Sequence, residues 1–294
     1  MYRNLSLAAL ELSATQSELN ELALSYKFRG IEVSIADFTG DAAGDGSYHR
    51  KLLESAKLIV GPFRLPIDLD GDDDAFQSGL SATTELCRTA HELGAKRAVT
   101  SIAPATDQLP YHENFERHRK RLAELSQTLT PFDLRLGITF DAVAAHREGK
   151  AFEFVHEFEP LQLLLSTVGA DNVGLVIDVW QLHAAGADPV QTISQQRGES
   201  ILAVELADAP EDLPAGELKP EARLAPGATN TIDCSGALTA LATIGYEGPV
   251  TPTPHRSSFS ERNREHVVRQ VGEALDAVWK EAGLSAAGKL SATT

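Results

Sequence analysis

The stretch Asn172-Val173-Gly174-Leu175-Val176-Ile177-Asp178-Val179-Trp180-Gln181-Leu182-His183 decides how the chain is read. Its apolar run over 173–177 is short and rich in branched residues, the pattern of a strand covered on both faces as in a parallel sheet. Asp178 closes the run. In parallel α/β proteins ligands gather at the carboxyl ends of the strands, because the loops leaving them converge there. The stretch therefore offers an acid, an amide and an imidazole at one such end.

The pattern repeats on either side. Expected strands fall at 7–12, 30–35, 58–62, 98–102, 134–140, 173–178, 201–208 and 250–253. Helical spacing is read from Thr15, and over 49–56, 75–93, 111–129, 157–168, 235–244 and 261–282, with a short helix after the 184–189 turn. Eight strands alternating with helices, without a G-x-G-x-x-G turn, predict one closed (β/α)8 TIM barrel over 1–282, followed by a small, polar, frayed tail at 283–294. The 209–233 connection is too long for a bare turn and is a candidate lid or substrate loop.

The composition of the 294-residue chain suits one domain of this size. A formal charge of -16 argues against nucleic acid or an anionic membrane as partner, since both need a basic patch. The lone basic cluster, Arg117-His118-Arg119-Lys120-Arg121, is read as a solvated helix face, and the acids at 68–74 as a solvated loop before a capped helix. Cys87 and Cys234 lie far apart with no C-x-x-C neighbour, which indicates inert thiols. With no secretory signal and no membrane-length apolar stretch, a cytoplasmic protein is expected.

Several segments resemble a known family in their order. Ile31-Glu32, the 172–178 strand, Val204 to Asp208 and the closing Ile244-Gly245-Tyr246-Glu247-Gly248-Pro249-Val250 are similar to the xylose isomerase-like barrels, which include sugar isomerases, epimerases and apurinic endonuclease relatives. The resemblance covers essentially the whole chain. It implies a sugar or sugar-phosphate isomerase or epimerase, a carbohydrate-like small-molecule ligand, and a homodimer as one option. It also implies one divalent cation (Mn, Mg or Zn), held by a Glu, an Asp, a His and a Glu on the fifth to eighth barrel strands, with a further His three residues after the Asp.

Taken one at a time, these positions are mostly changed. Asp178 matches the acid. The fifth-strand Glu falls on Thr139, with Asp141 two residues on; the seventh-strand His falls on Glu205; the following His falls on Gln181, with His183 displaced by two; the last Glu falls on Thr251 or Thr253. A threonine hydroxyl is a weak neutral ligand and no base near neutral pH, so the resemblance implies a diverged site with no cation or one weakly held by Asp178, with Asp141 and Glu205 as the other acids.

The catalytic candidates are therefore Asp178, Glu205, His183 and His255, the histidines because each follows a strand end and imidazole titrates near neutrality. Asp178 is weighed against a helix-capping role. Glu32, Thr139, Gln181, Asp208 and Thr253 are candidates for substrate binding, Trp180 for sugar stacking or simple packing, and Arg256 for an anionic sugar substituent. A catalytically silent barrel that binds a carbohydrate or a protein is the alternative. Nuclease activity needs several metals and a basic surface, and the acidic sequence offers neither.

Overall fold

A computed structural model describes residues 1–39, 46–260 and 263–291. By internal contacts the chain falls into two units, Met1–Glu32 with Ile177–Thr294, and Val33–Val176. In the first, parallel strands follow the order Gly30–Ile31, Tyr2–Leu5, Pro249–Pro252, Ile201–Leu206. In the second, Phe63–Arg64 pairs with Arg97–Ser101, which pairs with Arg135–Thr139, and the last takes the start of Val173–Asp178, again all parallel. The strand read first is thus the one that passes from one unit into the other.

The strands of the first unit bring a polar layer to one face of the sheet. Asn4, Thr251 and Glu205 stand side by side in the pairing register, and Asn4 Nδ2 donates to Thr251 Oγ1 at 3.0 Å. Gly30 completes the row, and only glycine suits it: an added Cβ would lie 2.5 Å from the Tyr2 ring and 2.6 Å from Asn4 Oδ1. Because side chains alternate along a strand, Glu32 and Thr253 continue this face one step nearer the carboxyl ends. The Ile244–Val250 motif sets the last strand in place. The Tyr246 hydroxyl donates to the Pro249 carbonyl at 2.7 Å, and a Cβ at Gly248 would collide with that hydroxyl.

Several expectations are corrected. The first strand is Tyr2–Leu5, and 8–10 of the expected 7–12 strand form a 3-10 turn. Arg3 and Asn4 made this strand look unlike one, but each is buried with a partner, Arg3 on Asp276 at 2.8 Å and Asn4 on Thr251. The 30–35 strand shortens to Gly30–Ile31, and Phe63–Arg64 is an unforeseen strand. Val179–Ala184 is a helix that starts directly at Asp178. Part of the expected frayed tail, 283–291, folds back, with a Leu284–Leu290 bridge and a Trp279 Nε1 bond to the Ser285 carbonyl at 2.9 Å. Residues 292–294 of that tail, 40–45 between the expected 30–35 strand and 49–56 helix, and 261–262 at the start of the expected last helix lie outside the described residues.

The basic cluster is not a solvated face. His118 and Arg121 are buried; Arg121 donates to the Leu69 and Gly71 carbonyls at 2.8 and 2.7 Å, and Arg117 turns to Asp70 at 3.4 Å. The acidic 68–74 run gives these cations their partners. It also caps the next helix, since Asp72 accepts the Ala75 N–H.

Candidate functional site

Asp178 leaves its strand 3% exposed and is the N-cap of the Val179–Ala184 helix, its Oδ1 accepting the N–H groups of Trp180 at 3.0 Å and Gln181 at 3.3 Å. The capping role is thus real, and it orients the carboxylate for a second partner. Arg223, from the middle of the 209–233 loop, binds it with two nitrogens: Nη1 donates to Oδ1 at 3.2 Å and Nη2 to Oδ2 at 2.5 Å. Paired donors in this fork geometry are the strong form of the carboxylate–guanidinium bond. Nη1 also reaches Thr253 Oγ1 at 3.2 Å, and the guanidinium carbon lies 4.5 Å over the ring centre of the fully buried Trp180. An Arg–aromatic contact adds roughly 0.5–2 kcal/mol, towards the upper end when desolvated.

Sequence reading did not single out Arg223. Its only sequence signal was the unusual length of the loop that carries it. The structure explains why a loop residue can sit so firmly. The carboxylate of the buried Asp208 accepts four backbone N–H groups, those of Ala209, Thr229, Asn230 and Ile232, at 2.8 to 2.9 Å. Asp208 also bridges Leu224 through both backbone bonds, and His255 N–H donates to the Arg223 carbonyl at 3.0 Å. Asp208, a candidate for substrate binding, thus spends its carboxylate lone pairs on folding this loop.

The other candidates divide by surroundings. His183 closes the helix that Asp178 opens and is half-buried; burial pulls its pKa below the ordinary value, with Asp208 opposing, so the imidazole is neutral at physiological pH. His255 is held at both nitrogens: Nδ1 accepts the Ser257 N–H at 3.2 Å, and Nε2 lies 3.2 Å from Glu11 Oε1. Arg256 follows in a 3-10 turn and is half-buried. Glu205 and Glu32 are half-buried on the polar face described above.

Thr139 and Asp141 belong to the Val33–Val176 unit. Thr139 ends its strand, buried. Asp141 is engaged locally: its Oδ1 accepts the Val143 N–H at 2.9 Å and its Oδ2 lies 2.5 Å from His146 Nδ1. Among the described residues no three of His, Cys, Asp or Glu gather closely enough to hold a metal ion. No described helix is long and apolar enough to cross a membrane.

Comparison with known proteins follows the same lines. An inosose isomerase of Bacillus velezensis is 27% identical over 208 residues, 70% of this chain and 70% of that protein. Among solved structures, a xylose isomerase domain protein from Alicyclobacillus acidocaldarius superposes with a TM-score of 0.83 at 22% identity, over 96% of this chain and 99% of that one. The IolI protein with a binding zinc atom gives 0.80 at 20%, with the same coverage. Such identities to solved structures speak for the fold alone. The family model for the xylose isomerase-like TIM barrel matches residues 21–279. With parallel strands, a strand-end acid and a glycine-framed last strand all in their expected order, the chain belongs to the xylose isomerase-like TIM barrel family.

Proposed function

We propose that this protein is a sugar isomerase- or epimerase-like enzyme for a small polyol-derived ketone or sugar, whose site has given up the divalent metal of its relatives. The observation that carries this reading is the buried, two-point pairing of Arg223 with Asp178 at the strand end. Similarity to inosose isomerases supports the substrate class.

The residues present do not fit a resident divalent ion. Asp178, the one matching ligand, has both oxygens bound by protein donors, and threonines stand at the two glutamate positions. No step is therefore routed through a metal. Isomerisation or epimerisation next to a carbonyl needs a base for the carbon-bound proton and a positive group for the oxygen that gains charge. The neutral His183 and the carboxylate of Glu205 are the proton-moving groups. Asp178 holds the guanidinium of Arg223, and Arg223 supplies the positive charge. His255, held at both nitrogens, positions Arg223 through its backbone rather than carrying a proton. Glu32, Gln181, Thr253 and Arg256 supply hydrogen bonds to hydroxyl or anionic substituents, and Trp180 serves by packing under the guanidinium.

A second reading, a silent barrel that binds a carbohydrate without turnover, is favoured by the same saturation of Asp178. Incubating chelator-treated protein with inososes and ketoses in D2O separates the two. Deuterium should enter the carbon beside the carbonyl at a rate indifferent to chelator, and Arg223→Gln should slow it on the order of 100- to 1000-fold. Binding without exchange would establish the silent barrel, and exchange seen only with added metal would overturn the metal-free mechanism.

A further inference from the structure

We infer that Arg223 is the resident cation of this site, delivered by the 209–233 loop to the carboxylate where a divalent ion of the relatives would be expected. The inference deepens the proposed reading and rests on it only in taking Asp178 as the site acid.

Charge balance is the first argument. A divalent ion needs more than one carboxylate to offset it. Of the acids the resemblance implies, the two glutamates are replaced by neutral threonines, Glu205 stands at the histidine position, and the acid kept in place, Asp178, has its own charge matched by the single positive charge opposite it. Coordination is the second. A guanidinium satisfies a carboxylate with two parallel bonds and still has donors to spare, and one of these goes to Thr253, a hydroxyl that would be a poor metal ligand but is a good acceptor. The third is Trp180, whose ring face lies 4.5 Å from the guanidinium carbon. Such a face attracts a planar, weakly hydrated cation, whereas an ion shelled in oxygen ligands gains little from it.

The loop is built to hold this charge in place. The backbone of Arg223 is fixed by His255 N–H on its carbonyl and by the Asp208–Leu224 bridge at the next residue. Ser257 Oγ adds a bond to the Glu221 carbonyl at 3.3 Å. The Arg223 side chain is only 13% exposed, so the charge belongs to the site and not to the surface.

The test uses the full-length protein and does not depend on turnover. Calorimetric titration of chelator-stripped wild type with manganese, magnesium and zinc should give no stoichiometric binding. Arg223→Ala should lower Tm on the order of 10 °C by stranding a buried carboxylate. Guanidinium ion at tens of millimolar should recover part of that loss, without a matching gain in wild type, while divalent ions should not. Should Arg223→Ala fail to fold, Arg223→Lys carries the test: it keeps the charge but loses the fork and the ring contact, and its Tm should fall clearly below wild type. Stoichiometric divalent binding that disappears in Asp178→Asn would overturn the inference. So would an Arg223→Ala Tm at the wild-type value, recovery by divalent ions instead of guanidinium, or an Arg223→Lys Tm equal to wild type. If no substrate shows deuterium exchange, the enzymatic reading fails while these measurements still decide the cation.

Discussion

Each unit of the molecule sets an aspartate carboxylate against arginine, and the two arrangements are built differently. At Asp178 the donors converge: one arginine gives two bonds to one carboxylate, and both side chains are withdrawn from water. Around Asp70, in the Val33–Val176 unit, the donors spread out. Arg117 divides its bonds among Asn114, Gln108 and Asp70, while Arg121 spends its own on two carbonyls and on Asp73 and lies 4.7 Å over the Phe76 ring. Spread bonds tie the 68–73 loop to the Tyr111–Leu129 helix. Converged bonds hold one charge at one place, which is what a binding or catalytic centre needs.

The sharpest way to break this comparison is to remove one acid from each group. Asp178→Ala strands a buried guanidinium and should cost about 3–5 kcal/mol in denaturant unfolding, whereas Asp70→Ala leaves arginines that have other partners and should cost about 1 kcal/mol. Equal losses would show that the two groups do the same structural work.

A smaller effect separates them by pH. His118 is fully buried beneath Phe154, with Nδ1 on the Asn114 carbonyl at 3.0 Å and Nε2 without a hydrogen bond, 3.7 Å from Asp70. Arg117, Arg121 and Asp68 are the other charges acting on it. Chiefly through burial its pKa drops from 6.5 to about 4. As pH falls the unfolded chain therefore takes up this proton first. Stability from His118 is complete above about 6.5 and is lost on the way down through about 4, by about 3 kcal/mol in all. Denaturant unfolding across that range should show a loss that His118→Leu reduces; an unchanged slope would remove His118 from the account. The smallest expected change is Thr253→Val, which deletes one acceptor of Arg223 and should cost about 1 kcal/mol, leaving the Asp178 pair in place.

Much of the fold could be read locally. The helix that follows Thr15, the helix end at Leu93 and the Tyr111–Leu129 helix appear where spacing placed them, because each depends on residues within one or two helical turns. Tyr2–Leu5 was missed because Arg3 and Asn4 are polar, and their partners Asp276 and Thr251 are more than two hundred residues away. The same holds in the site. Asp178 was visible as the end of a buried strand, but Arg223 lies 45 residues further on in an irregular loop with no periodicity to read. The basic cluster misled for a related reason: helical spacing says which residues share a face, not whether an acidic loop covers it.

By itself the sequence determined the alternating strands and helices, the family and the acid at the end of the 173–178 strand. These follow from residue type and short-range period, which act along the chain. Only the tertiary structure decided which charge meets Asp178, that the Asp208 carboxylate takes four backbone N–H groups of the loop after it, and that His118 is buried. Strand register and loop closure bring those groups together across long separations, and in a buried setting the partner a charge finds determines what it does.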